Sequence, residues 1–163
     1  MKIFILNLFL ILFLNLVNSA ELKIEAFGKD KYEVYEVSDS RKFFAWSNDA
    51  VWLTNIGING SLTAKGILEI INGISSSNIM SKWTEVNGDY FYAQFFVKRG
   101  SVNQDATVQT FEIVSGTGRW EELIGQKCIG AYTPLIDSKF MWQGNCEITN
   151  KTLERVQNYK KSE

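Results

Sequence analysis

The sequence predicts an all-β protein, and three observations carry that prediction. The 163 residues include one proline, 12 glycines and five tryptophans, with aromatics at 13%, a composition suited to strands joined by short turns. Segments of alternating apolar and polar residues follow one another with turn signals between them. Nothing before residue 150 carries a helical period.

The chain opens with Lys2, an apolar run from Ile3 to Val17, then Asn18-Ser19-Ala20 and the charged Glu21-Leu22-Lys23. This is the layout of a secretory signal peptide cleaved after Ala20, with Asn18 and Ala20 at the recognition positions and Val17 and Ser19 as an alternative pair. The run covers 15 positions and is interrupted by Asn7 and Asn15, whereas a spanning helix needs about 20. No stable membrane span is therefore expected, and no cysteine stands at the mature start to take a lipid. The expected organisation is a leader over 1–20, one β domain over 21–149 and a polar tail over 150–163. Export, periplasmic or secreted, follows. Basic residues number 17 and acidic ones 18. Loss of Lys2 with the leader leaves 16 against 18, or −2, which disfavours nucleic acid as a partner.

The strands are read in order. Lys31 to Val37, Arg41 to Ser47 and Ala50 to Thr54 come first, with hairpin turns at Ser38-Asp39-Ser40 and Asn48-Asp49. From Ser61 to Ile70 the alternation puts Leu62, Ala64, Gly66, Leu68 and Ile70 on one face, a half-buried strand. Gly66, on that inward face, permits the sharp bend a barrel needs. Past the polar stretch Asn72 to Ser77, Asn78 to Val86 ends at the hairpin signal Asn87-Gly88. Its partner, Asp89 to Lys98, is apolar on both faces, so it is covered outside or flanks a lined cavity. Ala106 to Ser115 follows a loop containing Gly100 and Asn103.

Gln126 to Thr133 and Lys139 to Thr149 form the last pair, around a turn centred on Asp137. Opposed residues then have numbers summing to 274, so Cys128 faces Cys146, Gly130 faces Gly144 and Tyr132 faces Trp142, all on one face. In an exported protein this predicts a Cys128–Cys146 disulfide worth about 3 kcal/mol by loop entropy. The tail after Asn150 is polar, with Leu153, Val156 and Tyr159 as its anchors, and forms a short helical turn or frays.

Ser115-Gly116-Thr117-Gly118-Arg119-Trp120-Glu121-Glu122-Leu123-Ile124-Gly125 superficially suggests a phosphate loop, but it lacks the Gly-Lys-Ser/Thr ending and the strand-loop-helix setting. The plainer reading is a tight connection whose glycines reverse the chain while Trp120 plugs one end of a barrel. This segment, with the strand, turn and aromatic strand that follow it, resembles the closing portion of the allene oxide cyclase and dirigent-like barrels. The resemblance covers roughly residues 108–148. It implies a single antiparallel up-and-down barrel of about eight strands, calycin-like, with an interior cavity. Active members of such families steer cyclisation or radical coupling, but no catalytic residue carries over by position.

There is no histidine, and no metal-ligand cluster, nucleotide loop or nucleophile motif, so neither metal nor cofactor is expected. An enzyme would have to use carboxylates, tyrosines or a lysine. Glu69, Glu121 and Glu122 read as solvated; Glu85, in phase with Ile79 and Trp83, and Glu112, in phase with Val108 and Val114, are less decided. The ligand-lining candidates are Trp83, Phe91, Phe95, Glu112, Tyr132 and Trp142. Three functions compete: a binding protein holding a small apolar or aromatic molecule inside the barrel, a cyclase- or isomerase-type enzyme using the same cavity, and an interaction module presenting an aromatic outer face.

Overall fold

The structure, a computed structural model, describes residues 19–97 and 107–161. Eight antiparallel strands in chain order close into a barrel: β1 Ser19–Ser38, β2 Arg41–Thr54, β3 Asn59–Ile71, β4 Ile74–Glu85, β5 Tyr90–Val97, β6 Thr107–Gly116, β7 Lys127–Pro134 and β8 Lys139–Thr149. Each strand pairs with its neighbours in sequence, and β8 returns to β1, with Ser19 opposite Thr149 and Lys29 opposite Lys139. Closure removes both sheet edges, which in an open sheet would present unpaired backbone groups. The all-β up-and-down barrel expected from the sequence is the fold.

From Ser61 onward each expected strand has its counterpart, although β4 begins at Ile74, inside the stretch expected to be a break, and before Ser61 the division differs more. Asn48-Asp49 is not a turn: β2 runs unbroken from Arg41 to Thr54, and Asn48 points inward and is buried. Strand β1 begins at Ser19, well before Lys31, because Leu22, Ile24 and Ala26 alternate inward and are fully buried. The proposed leader falls almost entirely outside the described residues; Ser19 and Ala20 contribute the first two β1–β8 pairs. Within the polar stretch after β3, Asn72 and Gly73 have φ of 51° and 77°, the left-handed pair that a tight two-residue hairpin requires.

The register of β7 and β8 is the expected one. Gly130 opposes Gly144, Tyr132 opposes Trp142, and Cys128 is bonded to Cys146. Asp137 and Ser138 turn the chain with positive φ. A Cβ at Gly66 would run into the backbone oxygen of Asn78 on β4, so this glycine serves a close approach of the two strands.

The barrel has two unlike ends. One carries the β2–β3, β4–β5 and β6–β7 connections, the last containing the 3-10 helix Gly118–Leu123, together with helix α1, Asn150–Asn158. Thr149 caps α1, its hydroxyl accepting from the Thr152 N–H at 3.1 Å, and α1 buries Val156. The other end carries the turns after β1, β3 and β7. Among the described residues no helix or plug covers it.

Candidate functional site

The interior changes character along the barrel axis. Toward the capped end it is solid. Trp83 stacks on Phe91 with ring centroids 5.4 Å apart, Phe91 lies 4.6 Å from Trp120, and Trp120 meets Trp52 edge-on at 5.6 Å. Trp142 bridges this group to Phe111, at 5.3 Å from Trp83 and 5.2 Å from Phe111. Such pairs each add about 0.5–1.5 kcal/mol beyond the area they bury. Every indole N–H in the cluster has an acceptor: Ser61 O for Trp52, Ser81 Oγ for Trp83, Glu85 Oε2 for Trp120 and Gln109 Oε1 for Trp142. The Trp142 ring lies over Gly130 and Gly144, where any Cβ would overlap it. The facing glycines thus make the space that the indole fills.

Trp120 plugs this end as the sequence suggested, fully buried at 0% exposure. The plug is fastened by charge. Arg119 Nε lies 3.2 Å from Glu85 Oε2, an ion pair without hydrogen-bond alignment, and Arg119 Nη1 donates to the Val156 carbonyl at 2.8 Å. Lys161 reaches back to the buried Asp89 at 3.0 Å. Burial pushes the Glu85 carboxyl up, while the Arg119 charge and the Trp120 indole pull it down and Asp89 adds to the rise. Glu85 is an inward carboxylate, but it is held in a structural clasp.

Toward the open end the inward positions turn polar. Asp30 of β1 stands directly opposite Asn48 of β2, and the Tyr132 hydroxyl of β7 donates to Asp30 Oδ2. Tyr132 is itself stacked on Phe140 at 5.4 Å. Burial pushes the Asp30 carboxyl up, against the Tyr132 hydroxyl and the Trp46 indole, which pull it down. The Tyr132 hydroxyl is pushed up too, first by burial and then by Asp30, so it remains a proton donor at neutral pH. Three buried oxygens here have no hydrogen-bond partner: Asp30 Oδ1, Asn48 Oδ1 and Ser77 Oγ. Asn48 is only 6% exposed. One step further out, Tyr32 opposes Trp46, and Val34 opposes Phe44; the Tyr32 and Phe44 rings meet edge-on at 6.4 Å. An aromatic shelf therefore adjoins the unpartnered acceptors.

Of the six lining candidates, the structure turns Trp83, Phe91, Phe95, Tyr132 and Trp142 inward. Trp83, Phe91 and Trp142 are packed into the solid half; Tyr132 belongs to the polar half. Glu112 requires correction. Its flanking residues Phe111 and Ile113 point inward, at 1% and 0% exposure, so Glu112 lies on the outer face, opposite Gln94 and Lys127. The sequence reading did not find Asp30, Asn48 or Tyr32. The signal was the phase: Asp30, Tyr32 and Val34 continue the alternation of Leu22, Ile24 and Ala26.

An open groove of about 870 Å³ crosses β1 to β5, lined by outward residues such as Lys31, Lys65 and Met80 and also by Tyr32, Trp46 and Gly66 of the inward face. Among the described residues no group of three or more His, Cys, Asp or Glu could hold a metal ion, and no helix is long and apolar enough to cross a membrane.

The molecule is thus a closed eight-stranded up-and-down β-barrel, plugged and solid at one end and polar with an aromatic rim at the other. No protein-family model and no curated protein matches the chain.

Proposed function

We propose that this chain is an exported barrel protein that binds a small apolar or aromatic molecule at its open end. The carrying observation is the change of the interior from a packed aromatic cluster to unpartnered acceptors beside Tyr32, Phe44 and Trp46. Barrels of eight strands have room for one small ligand, and a pocket of this kind combines apolar walls with a few placed polar groups. The capped half, filled by Trp52, Trp83, Phe91 and Trp120, leaves the ligand to the open half. The disulfide supports export.

The test is native mass spectrometry of the oxidised chain from Glu21, as isolated and after exposure to a panel of small aromatic compounds, with denatured mass as reference. Excess mass released on denaturation, and lost in a variant filling the mouth such as Ser77→Trp paired with a folded-state check by circular dichroism, is the expected result. A bare chain throughout would overturn the reading.

A second reading has its own observation. A carboxylate pushed up by burial beside a tyrosine held protonated, Asp30 and Tyr132, is a general acid–base pair in form. It supports the cyclase- or isomerase-type enzyme implied by the allene oxide cyclase and dirigent-like resemblance. That reading predicts that Tyr132→Phe abolishes turnover of a bound compound while leaving its binding intact.

A further inference from the structure

At the open end two inward acceptors stand without donors. Asp30 Oδ1 and Asn48 Oδ1 are acceptors on directly opposed residues of β1 and β2, both buried, both without a donor. Tyr132 is already engaged with Asp30 Oδ2, and the Trp46 indole, which also lowers the Asp30 carboxyl, leaves Oδ1 without a hydrogen bond. Among the described residues no lysine or arginine is paired with Asp30. The aromatic positions that adjoin the two acceptors, Tyr32 and Trp46, oppose each other in the next inward pair.

We propose that the ligand of the open end carries a protonated amine, seated on Asp30 Oδ1 and Asn48 Oδ1, with its apolar part against Tyr32, Phe44 and Trp46. This rests on the open-end binding reading and adds the chemical class. An ammonium group presents several donors and no acceptor, which matches two acceptors that lack a donor. Its charge offsets that of a carboxylate paired with no lysine or arginine among the described residues, and charge-assisted hydrogen bonds are about twice as strong as neutral ones. The faces of tyrosine and tryptophan attract a cation as well. An anion would meet Asp30. A neutral alcohol would satisfy one acceptor and leave the carboxylate uncompensated. A hard metal ion would need more oxygen ligands than a single carboxylate supplies.

The direction of the Asp30 shift adds a pH signature. The titratable groups facing it are Tyr132 from β7 and, further out on its own strand, Tyr32. Burial and Asp30 push the Tyr132 hydroxyl up, so amine affinity falls as pH drops through the raised Asp30 value and the carboxylate is lost.

The experiment compares three probes of one shape, phenethylammonium, 2-phenylethanol and phenylacetate, by titration calorimetry on the oxidised chain from Glu21 at neutral pH. The expected result is phenethylammonium bound at least about tenfold more tightly than the alcohol, with the carboxylate weakest. Asp30→Asn should bring amine and alcohol to within about threefold of each other while the alcohol still binds. Equal affinities for amine and alcohol in the unaltered chain would overturn the amine inference and leave the binding reading standing. Absence of binding by all three, together with a bare chain in the mass-spectrometric panel, would overturn both. Should Asp30→Asn fail to fold, the carboxyl carbon resonance of Asp30 in the unaltered chain decides: it shifts on addition of phenethylammonium, and no shift at saturation overturns the proposal.

Discussion

Glu85 and Arg119 are 6% and 13% exposed at their side chains, and each is the principal charge partner of the other. Removing one member of a buried pair leaves an uncompensated charge, so Glu85→Ala is expected to cost about 3–5 kcal/mol in urea denaturation. The isosteric Glu85→Gln, which keeps an acceptor for the Trp120 indole, should cost clearly less. The pH dependence has a definite sign. Because burial raises the Glu85 carboxyl, protonation favours the folded chain, and that contribution is complete below the ordinary glutamate value and lost as pH rises through the raised one. The stability of the parent relative to Glu85→Gln should therefore improve as pH falls from neutral toward the ordinary glutamate value; a difference that stays flat would argue against a raised value. At Gly144 the expectation is steric. A Cβ there enters the Trp142 ring, so Gly144→Ala should lower stability by about 1–3 kcal/mol, the usual range for overpacking. The Gly130–Gly144 pairing was legible in the sequence, but its purpose was not: spacing opposes two glycines without saying that an indole lies across both.

Among the elements, β7 and β8 were the most legible, because two cysteines, two glycines and two aromatics agreed on one register. Strand β2 was the least, because Asn48-Asp49 has the composition of a turn and only the three-dimensional closure of the barrel keeps it extended. Strand β6 misled in another way. Val108 and Val114, at 66% and 36% exposure, are apolar residues on the outer face, so being in phase with them placed Glu112 outside. Two predictions belong at this scale. Replacing Cys128 and Cys146 together by alanine should lower stability by about 3 kcal/mol while the barrel survives, as read by denaturation with and without reductant. Ending the chain after Thr149 removes Val156, the acceptor of Arg119, and Lys161, the partner of Asp89. Trp120 should then gain solvent, seen as a red shift of tryptophan emission and a lower Tm; unchanged emission would mean that α1 is dispensable to the plug.

For the whole molecule, closure joins the beginning and end of the chain: β1 is complete only when β8 lies beside it. A barrel of this topology depends on contacts distant in sequence, and folding on the millisecond-to-second scale is expected in stopped-flow refolding. A chain ending at Pro134 should show no near-ultraviolet dichroism. The same global geometry explains why the open-end site was not readable from the sequence. Asp30, Asn48, Ser77 and Tyr132 come from four strands, and their common surroundings exist only after those strands have curved round to meet. Closure also decides which way the molecule faces. Ser19 enters the barrel and helix α1 leaves it at the same, capped end. Whatever holds this protein by either terminus, whether a fusion partner, a surface or an uncleaved leader, holds it from behind, with the end that carries Asp30 and Tyr132 directed away from the point of attachment.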